Sequence, residues 1–380
     1  MTTAKTPTLL PQTELYERLC RLFHENRLPS SLLFAGKKGV GKWAVANLLA
    51  RTITCQNPAD NFCGECASCR QADSFCHPDI YYLVPLPKEK KEKDKEEDWF
   101  DKRLITYLQK KASGPFSDAS EDVTSFITID NIRKFQSNLS RHPSLSKFKV
   151  GIIYEAERML PATMDSLLKT LEEPPRDSFL IVCTDQPRFL LATIRSRLQR
   201  VSFPALESKF VELYLQQNFE IPEKEIGVVT RFAAGALYNV EQLVEKAFFD
   251  ARETAFDLLT NAVTMPASDL VVKCSGNVAL ENREKVERLL IHWQSMLRDL
   301  MVINALPLQT GIDPSQALVN FDYADRYLEH RERFASLQRV EQQIEKLEQV
   351  RSELRRNVNP KMAAISFLVG LNQPGSPPKA

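Results

Sequence analysis

The chain has 380 residues, 43% of them hydrophobic and 26% charged, with a formal net charge of +1. This length favours two or three domains with substantial cores, and the near-neutral charge excludes the markedly basic domain that usually accompanies strong, autonomous binding to nucleic acid. No apolar run approaches the ~18 residues of a membrane span, and the N-terminal residues lack the long apolar core of a secretory signal, so we expect a cytoplasmic protein.

The first pattern in chain order is a glycine-rich loop between an apolar run at residues 32–34 and an amphipathic helical segment. Its spacing, Gly-x4-Gly-Lys, is typical of a nucleotide phosphate loop, in which backbone N–H groups and the lysine hold phosphates at a helix N-terminus. The next position, where Ser or Thr binds Mg²⁺, is Trp43, and an indole offers one donor and no acceptor. For this segment alone, a glycine turn in an unrelated α/β protein is the alternative. The candidate phosphate-binding residues are Gly36, Gly39, Gly41 and Lys42.

A group of four cysteines follows the predicted helix, with the spacing Cys-x7-Cys-x2-Cys-x2-Cys. A two-residue gap lets neighbouring thiolates turn toward one ion, so the pattern predicts a closed, tetrahedral, structural zinc site. Free thiols and an iron–sulfur cluster are the alternatives, and Cys76 and His77 could compete as ligands. The predicted zinc ligands are Cys55, Cys63, Cys66 and Cys69. The cysteines predicted to be buried, inert thiols are Cys20, Cys183 and Cys274.

Strand and helix patterns then alternate as far as residue 205. The β-branched and aromatic segment 125–130 predicts a strand, with Asp130 placed to cap the helix that follows. An apolar stripe from Met164 to Leu171 predicts a helix that Pro174 ends. This alternation predicts an α/β fold, a parallel sheet with helices on both faces. The further predicted strands are 150–153, 178–184 and 200–203.

The domain organisation follows from where strands give way to helices. Residues 1–205 form the predicted α/β core, 206–272 a small helical domain, and 273–372 a second helical domain, with a disordered tail at 373–380. Lysines and acids interleave at 85–98, which predicts a solvated insertion rather than a DNA-binding arm. One late stripe predicts bundle core rather than a free coiled coil: Leu337, Val340, Ile344, Leu347 and Leu354.

Taken together, these segments resemble the bacterial DNA polymerase III clamp-loader AAA+ family. The motifs that carry the resemblance are the phosphate loop, the four cysteines, "HPD" at 77–79, "ITIDNIRKF" at 127–135, "DSLLKTLEEPP" at 165–175 and "LLATIRSR" at 190–197. The resemblance is dense over the first 205 residues and loose in the C-terminal third. It implies an AAA+ core with a zinc module, a helical lid, and a helical collar that holds an oligomeric assembly together.

Three departures from the family pattern concern ATP hydrolysis. Trp43 replaces one Mg²⁺ ligand, and Tyr154 replaces the metal-associated Asp of the acidic strand-end motif, although Glu155 keeps the carboxylate that would orient water. Tyr238 stands near the place of the lid arginine that touches the γ-phosphate. Phosphoryl transfer depends on such metal and cationic groups, so the resemblance implies a non-hydrolysing, stator-like subunit with a vestigial Glu155 and no bound Mg²⁺. Binding of ATP or ADP at the loop is left open.

One residue of this sequence matches a catalytic position of the family. Arg197, in "IRSR", matches the family's arginine finger, which reaches the ATP of a neighbouring subunit; a surface arginine paired with a carboxylate is the alternative. Arg133 and Lys134 could contact template DNA or simply form a solvated face. The implied partners are gamma/tau and delta subunits in a ring, the sliding clamp and primer–template DNA. Two other functions are an active gamma/tau-type motor and a zinc-binding nucleic-acid module.

Overall fold

A computed structural model gives the conformation of most of the chain. The described residues are 12–59, 61–87, 99–116, 125–238, 240–305, 317–330, 340–356 and 358–371. The charged insertion beyond residue 87, the tail from residue 372 and Leu337 lie outside them. The chain divides into two compact units, here called the first unit (Met1–Asn218 with Ala233–Val240) and the second unit (Phe219–Phe232 with Glu241–Ala380).

The first unit is built on a parallel sheet of five strands in the order β2-β3-β4-β1-β5. The strands are β1 (Ser31–Ala35), β2 (Ile80–Leu83), β3 (Lys149–Ile153), β4 (Ser178–Thr184) and β5 (Gln199–Ser202). The sequence predicted β1, β3, β4 and β5, and it missed β2. Because all five strands are parallel, their carboxyl ends share one edge. β1 lies between β4 and β5, where the connections diverge toward opposite sides of the sheet, and this is the crevice in which α/β proteins place their ligands.

Helices cover both faces of the sheet, as predicted. Alternate residues of β1 enter two different cores: Leu32 and Phe34 pack with one set of helices, and Leu33 and Ala35 with another. Because successive side chains of a strand point to opposite faces, β1 contributes residues to the cores on both sides of the sheet. The helices of the first unit are α1 (Thr13–His24), α2 (Lys42–Thr54), α3 (Ala67–Asp73), α4 (Trp99–Ser113), α5 (Ile129–Leu139), α6 (Pro161–Glu172), α7 (Ala192–Arg195) and α8 (Ser208–Asn218).

The predicted strand at 125–130 is wrong in extent. Phe126 and Ile127 make only isolated bridges, and α5 already begins at Ile129. The capping residue is Thr128 rather than Asp130, because the Thr128 hydroxyl accepts a hydrogen bond from the Asn131 N–H at 3.4 Å. An N-cap acceptor serves an N–H two or three residues later, so the chain takes the earlier of two possible caps.

The second unit is helical. Its helices are α9 (Glu223–Ala233), α10 (Val240–Leu243), α11 (Lys246–Thr264), α12 (Ala267–Ser275), α13 (Arg283–Ala305), α14 (Ala324–Glu329), α15 (Val340–Arg355) and α16 (Pro360–Leu371), the first two of which share a terminal residue with the first unit. Its core centres on Trp293, whose indole N–H donates to the Ala255 carbonyl at 3.0 Å. Leu347 and Leu354 of α15 lie in this core, as the bundle interpretation predicts.

The predicted boundary between a lid and a collar, at residues 272 and 273, falls inside α12. Leu270 and Cys274, on either side of it, belong to the same core as α11 and α13. Helix α12, which contains the predicted boundary, thus shares one core with α11 and α13, and the three-domain division remains a prediction. In all the ranges that the structure describes, no helix is long and apolar enough to cross a bilayer.

Candidate nucleotide and metal sites

The glycine-rich loop occupies the crevice at the carboxyl end of β1, as its sequence context predicts. Gly36 follows β1 directly, and Gly41 is the N-cap of α2. Gly39 and Gly41 have φ angles of 75° and 94°, in the region that side chains with a Cβ rarely adopt. The backbone of a phosphate loop, a tight turn into a helix N-terminus, is therefore present.

Lys42 binds the loop from which it comes. Its ammonium group donates to the carbonyl oxygens of Gly36 and Lys37, each at 2.6 Å, and the side chain is 4% exposed. Burial lowers its pKa, an effect that Cys183 and the nearby acids Asp185 and Glu157 oppose. The cation that would meet phosphate thus has two internal acceptors.

Other backbone packs directly on the loop. The Leu237 N–H donates to the Gly39 carbonyl at 2.9 Å, and a Cβ on Gly39 would lie 2.1 Å from the Tyr238 nitrogen. The Lys38 ammonium lies 5.0 Å from the centre of the Tyr238 ring. The structure therefore places Tyr238 against the loop, where the sequence expected the counterpart of the lid arginine, but it presents a ring instead of a guanidinium.

The two residues at the positions where the resemblance led us to expect Mg²⁺ ligands contact each other. Trp43 and Tyr154, 3% and 8% exposed, have ring centroids 5.1 Å apart in an edge-to-face arrangement. Three further rings lie around Trp43, and we call the five residues the aromatic cluster: Trp43, Phe75, Tyr82, Tyr107 and Tyr154. The buried Lys111 of α4 places its ammonium 4.9 Å from the Tyr154 centroid, within cation–π range. Packed rings and a lysine thus surround the two positions at which the resemblance led us to expect metal ligands.

Glu155, the predicted remnant of the water-orienting carboxylate, directly follows Tyr154. It is 5% exposed and has a φ of 53°, a left-handed conformation uncommon for residues other than glycine. Its carboxylate pairs with the guanidinium of Arg158 at 2.8 Å. The structure therefore brings Glu155 to the carboxyl edge of the sheet, and it gives the carboxylate a cationic partner of its own.

The sequence interpretation missed a second acid at this edge. Glu157 accepts a hydrogen bond from the Thr184 hydroxyl at 2.6 Å, and burial, together with the neighbouring Asp185 carboxyl, raises the pKa of Glu157 to about 7. Its position was available as a signal, because the carboxyl ends of β3 and β4 meet in a parallel sheet and Glu157 and Asp185 follow those two strands.

At the other end of α2, the four predicted cysteine ligands come together. Their sulfur atoms all lie within 4.8 Å of one another, and the pairs Cys55–Cys66, Cys63–Cys69 and Cys55–Cys69 are 4.0, 4.0 and 3.7 Å apart. Four sulfurs at about 2.3 Å from one tetrahedral ion would be about 3.8 Å apart. The donor set and its spacing therefore fit a metal such as zinc.

Backbone groups support this arrangement. The N–H groups of residues 63, 66 and 69 point at the sulfurs of Cys55, Cys63 and Cys66, at 3.3 to 3.4 Å. Burial alone would raise the pKa of the Cys66 thiol, but hydrogen bonds from the Cys69 and Gln56 backbone and from neighbouring thiols lower it to about 6. Metal ligands must be thiolates, and these N–H groups stabilise the anionic form.

Cys76 and His77, the competing ligands, lie outside the metal-binding group of the described residues. His77 Nδ1 accepts from the Asp79 N–H at 3.0 Å, so its Nε2–H donates to the Ser68 hydroxyl at 2.7 Å, which in turn donates to the Thr54 carbonyl. Asp79 is also buried and accepts backbone N–H groups of residues 144–146. The "HPD" motif therefore fastens the cysteine module to the start of β2.

Arg197 lies at the surface between α7 and β5. Its Nη2 is 2.7 Å from Oε1 of Glu172, and its Nη1 donates to the Thr193 carbonyl at 2.9 Å. The pairing with a carboxylate that the sequence left as an alternative is thus present in the isolated chain. Of the two candidate DNA-contacting residues, Lys134 pairs with Asp101 at 2.9 Å, and Arg133 is exposed on the same helix.

Comparison with known proteins places the chain in a family. The family model described as "DNA polymerase III, delta subunit" matches residues 11–207. The chain is similar to the DNA polymerase III subunit delta' of Escherichia coli (26% identity over 74% of this chain and 72% of the relative) and of Bacillus subtilis (30%, over 61% and 59%). It is also similar to the subunit tau of Bacillus subtilis, at 25% identity over 62% of this chain and 36% of the relative. Because the family model covers more than half of the 380 residues, the chain belongs to the DNA polymerase III delta subunit family.

Proposed function

We propose that the chain is the non-hydrolysing, stator-like delta-prime subunit of a DNA polymerase III clamp loader, which helps to load the sliding clamp on primed DNA. Membership of the family and similarity to two delta' subunits support the clamp-loader role. The observation that supports the absence of hydrolysis is the contact between the rings of Trp43 and Tyr154, where two metal ligands would otherwise lie.

The chemistry of phosphoryl transfer explains why this contact matters. The metal and the cationic groups stabilise the charge that develops on the transferred phosphoryl group, and they provide most of the catalysis. An indole and a buried phenol cannot replace a hydroxyl and a carboxylate as Mg²⁺ ligands. Lys42 donates to its own loop and Glu155 pairs with Arg158, so the remaining catalytic groups have internal partners.

The four cysteines would hold a structural Zn²⁺. Cys55, Cys63, Cys66 and Cys69 form a closed set of four thiolates, which leaves no open position for water or substrate. The ion would join the end of α2 to the start of α3, because Cys55 is the C-cap of α2 and Cys66 the N-cap of α3. Its contribution is to stability and not to a reaction.

The wider architecture would be that of an AAA+ subunit. The parallel sheet with its phosphate loop after β1 and the helical second unit support an AAA+ core, a lid and a collar. In this proposal the partners are gamma/tau and delta subunits in a hetero-oligomeric ring, and the sliding clamp and primer–template DNA are reached through the assembly. The formal charge of +1 supports shared rather than autonomous DNA contact.

Arg197 would act on a neighbour's ATP. An arginine finger supplied in trans is worth roughly 10³ to 10⁵ in rate at the site it serves. We therefore expect Arg197→Ala to depress the ATPase activity of a loader reconstituted with motor subunits, clamp and primed DNA. Arg195→Ala, an exposed arginine two residues away, is the matched control and should leave the activity unchanged. Unchanged activity in the Arg197 variant would remove the trans role.

The isolated chain gives a separate test of the vestigial site. Purified protein should show no ATP hydrolysis that depends on Lys42. Hydrolysis that Lys42→Ala abolishes would instead establish an active gamma/tau-type motor, and tight DNA binding by the isolated chain at physiological salt would favour a nucleic-acid module.

A further inference from the structure

In the proposed loader, Arg197 contacts the ATP of a neighbouring subunit. The structure shows which groups hold the Arg197 side chain in the isolated chain. Glu172 Oε1 lies 2.7 Å from Arg197 Nη2, and the Thr193 carbonyl accepts from Nη1 at 2.9 Å. These two bonds fix the guanidinium from two directions. We propose that Glu172 is a positioning residue for Arg197, a role that rests on the proposed trans function.

Both partners of the pair stand on rigid supports. Glu172 is the last residue of α6, directly after Leu171, which is buried in the core between the sheet and α5 and α6. Arg197 lies between Ile194 and Leu198, which are buried in the same core, and its N–H donates to the Ile194 carbonyl at 3.1 Å. The two backbones are thus held by one packed layer, so the ion pair joins two fixed points and not two mobile loops.

The geometry leaves the guanidinium able to meet a phosphate. A guanidinium carries five N–H groups, and the two bonds use one on Nη1 and one on Nη2. Three N–H groups therefore remain to meet an anion while Glu172 and Thr193 hold the side chain. Arginine is rich in rotamers, and restraining it before the neighbour arrives reduces the ordering cost at the moment of contact.

A stability role does not account for the pair. The side chains are 36% and 52% exposed, and exposed pairs of this kind contribute little to folding. What an exposed carboxylate can still do is select one orientation of the arginine. Glu172 thereby acts through Arg197 and touches no reacting atom.

The test uses the reconstituted loader and the Arg197-dependent rate, defined as the ATPase rate of the wild type minus that of Arg197→Ala. Glu172→Ala should lower the kcat of this component about three- to tenfold, because one restraint on a rotamer-rich side chain is lost. The KM for ATP should stay within about twofold, since the finger acts on transition-state charge. Glu172→Gln, which keeps an oxygen acceptor for Nη2, should recover part of the rate.

Two controls separate positioning from structure. Glu173→Ala removes the neighbouring exposed carboxylate and should change nothing. In the Arg197→Ala background, Glu172→Ala should have no further effect, whereas a residue that merely supports the fold or the assembly would still lower the rate.

The outcomes are distinguishable. If Arg197→Ala leaves the loader unchanged, the proposed trans function fails. If Arg197→Ala depresses the rate but Glu172→Ala leaves it unchanged or raises it, only the positioning role is overturned, and a raised rate would mean that Glu172 competes with the phosphate for the arginine.

Discussion

The two ends of helix α2 differ in whether the side chains there could bind a metal ion. At its N-terminus, the residue after Lys42 is Trp43 in place of a metal-binding hydroxyl, and at its C-terminus Cys55 begins a complete set of four thiols. The ends are only about 20 Å apart, because a helix rises about 1.5 Å per residue. One helix therefore connects a phosphate loop without the expected metal-binding hydroxyl to four cysteines whose spacing fits a metal ion.

The two ends also differ in the groups that surround Trp43 and the four cysteines. Around the cysteines, backbone N–H groups point at sulfur and favour thiolates, as an ion requires. Around Trp43, four further aromatic rings pack, and burial of their apolar surface provides the stabilisation. In the proposed function, the position of a catalytic metal has thus become part of the core, whereas the four cysteines would hold a structural ion. The comparison predicts large effects at both ends, for different reasons.

The largest effect should follow loss of a thiol ligand. Cys69 is fully buried in the four-sulfur group, so Cys69→Ser should abolish zinc binding and lower the free energy of unfolding by at least about 4 kcal/mol, since structural zinc sites bind with about 10–16 kcal/mol. Metal analysis of protein purified without oxygen should find one zinc per wild-type chain and none in the variant, with a correspondingly lower melting temperature.

The control for that change is Cys76→Ser. Cys76 is exposed and donates to the Ser74 carbonyl at 3.3 Å, outside the four-sulfur group. Its zinc content and melting temperature should equal those of the wild type. A wild-type chain that holds no zinc, or a Cys69 variant that keeps it, would contradict the comparison at this end.

The second effect concerns the aromatic cluster. Trp43→Ala should lower the free energy of unfolding by about 3–5 kcal/mol, the usual cost of truncating a large buried ring. Trp43 is 3% exposed among its neighbouring rings, and Tyr154 cannot fill the space without leaving its own contacts. Denaturant titration followed by circular dichroism measures the change, on the assumption that the first unit unfolds cooperatively.

Trp43→Phe is the matched control, because it keeps a ring among the rings and should cost less than half as much. Trp43→Ala with a loss below about 1 kcal/mol would show that the cluster does not stabilise the fold. The presence of aromatic residues at positions 43 and 154 would then have to be explained by something other than core packing.

The sequence predicted much of both ends of α2, for a physical reason. Glycines at positive φ, a lysine and closely spaced cysteines are local signals, and each acts through residues near in sequence. Trp43 and Tyr154 were identified as replacements, but their contact was not predicted, since it joins β3 to α2 across the sheet. Tyr107 and Lys111 of α4 were missed because nothing local shows that α4 packs on this cluster.

Three other features could not be predicted from the sequence, because each depends on contacts between distant parts of the chain. β2 was missed because "IYYL" is too short to show a period, and it is a strand because it pairs with β3. The boundary at residue 272 remains a prediction; the sequence did not show that α12, which contains it, packs with α11 and α13 through Leu270 and Cys274. Arg197 was found by its motif, but its partner Glu172 lies 25 residues away on another element, and only tertiary structure brings them together.

The smallest expected effect is a pH dependence of stability that comes from Glu157, near the N-terminal end of α2. Burial and Asp185 raise the pKa of Glu157 from 4.5 to about 7. The folded chain then binds more protons than the unfolded chain between these values, so this group lowers stability as the pH rises from about 4.5 through about 7.

Glu157→Gln imitates the protonated acid and keeps an oxygen that can accept from Thr184. We expect the variant to match the wild type near pH 4.5 and to exceed its free energy of unfolding at pH 8 by about 1–3 kcal/mol, because one pKa unit corresponds to about 1.4 kcal/mol. Denaturant titrations at both pH values measure this, and Glu173→Gln, at an exposed site, should show no such difference. An equal offset at both pH values would mean that folding leaves the pKa of Glu157 unchanged. Glu157 would then be ionised at pH 8 near the buried Lys42, and the stability of the N-terminal end of α2 would depend on that lysine.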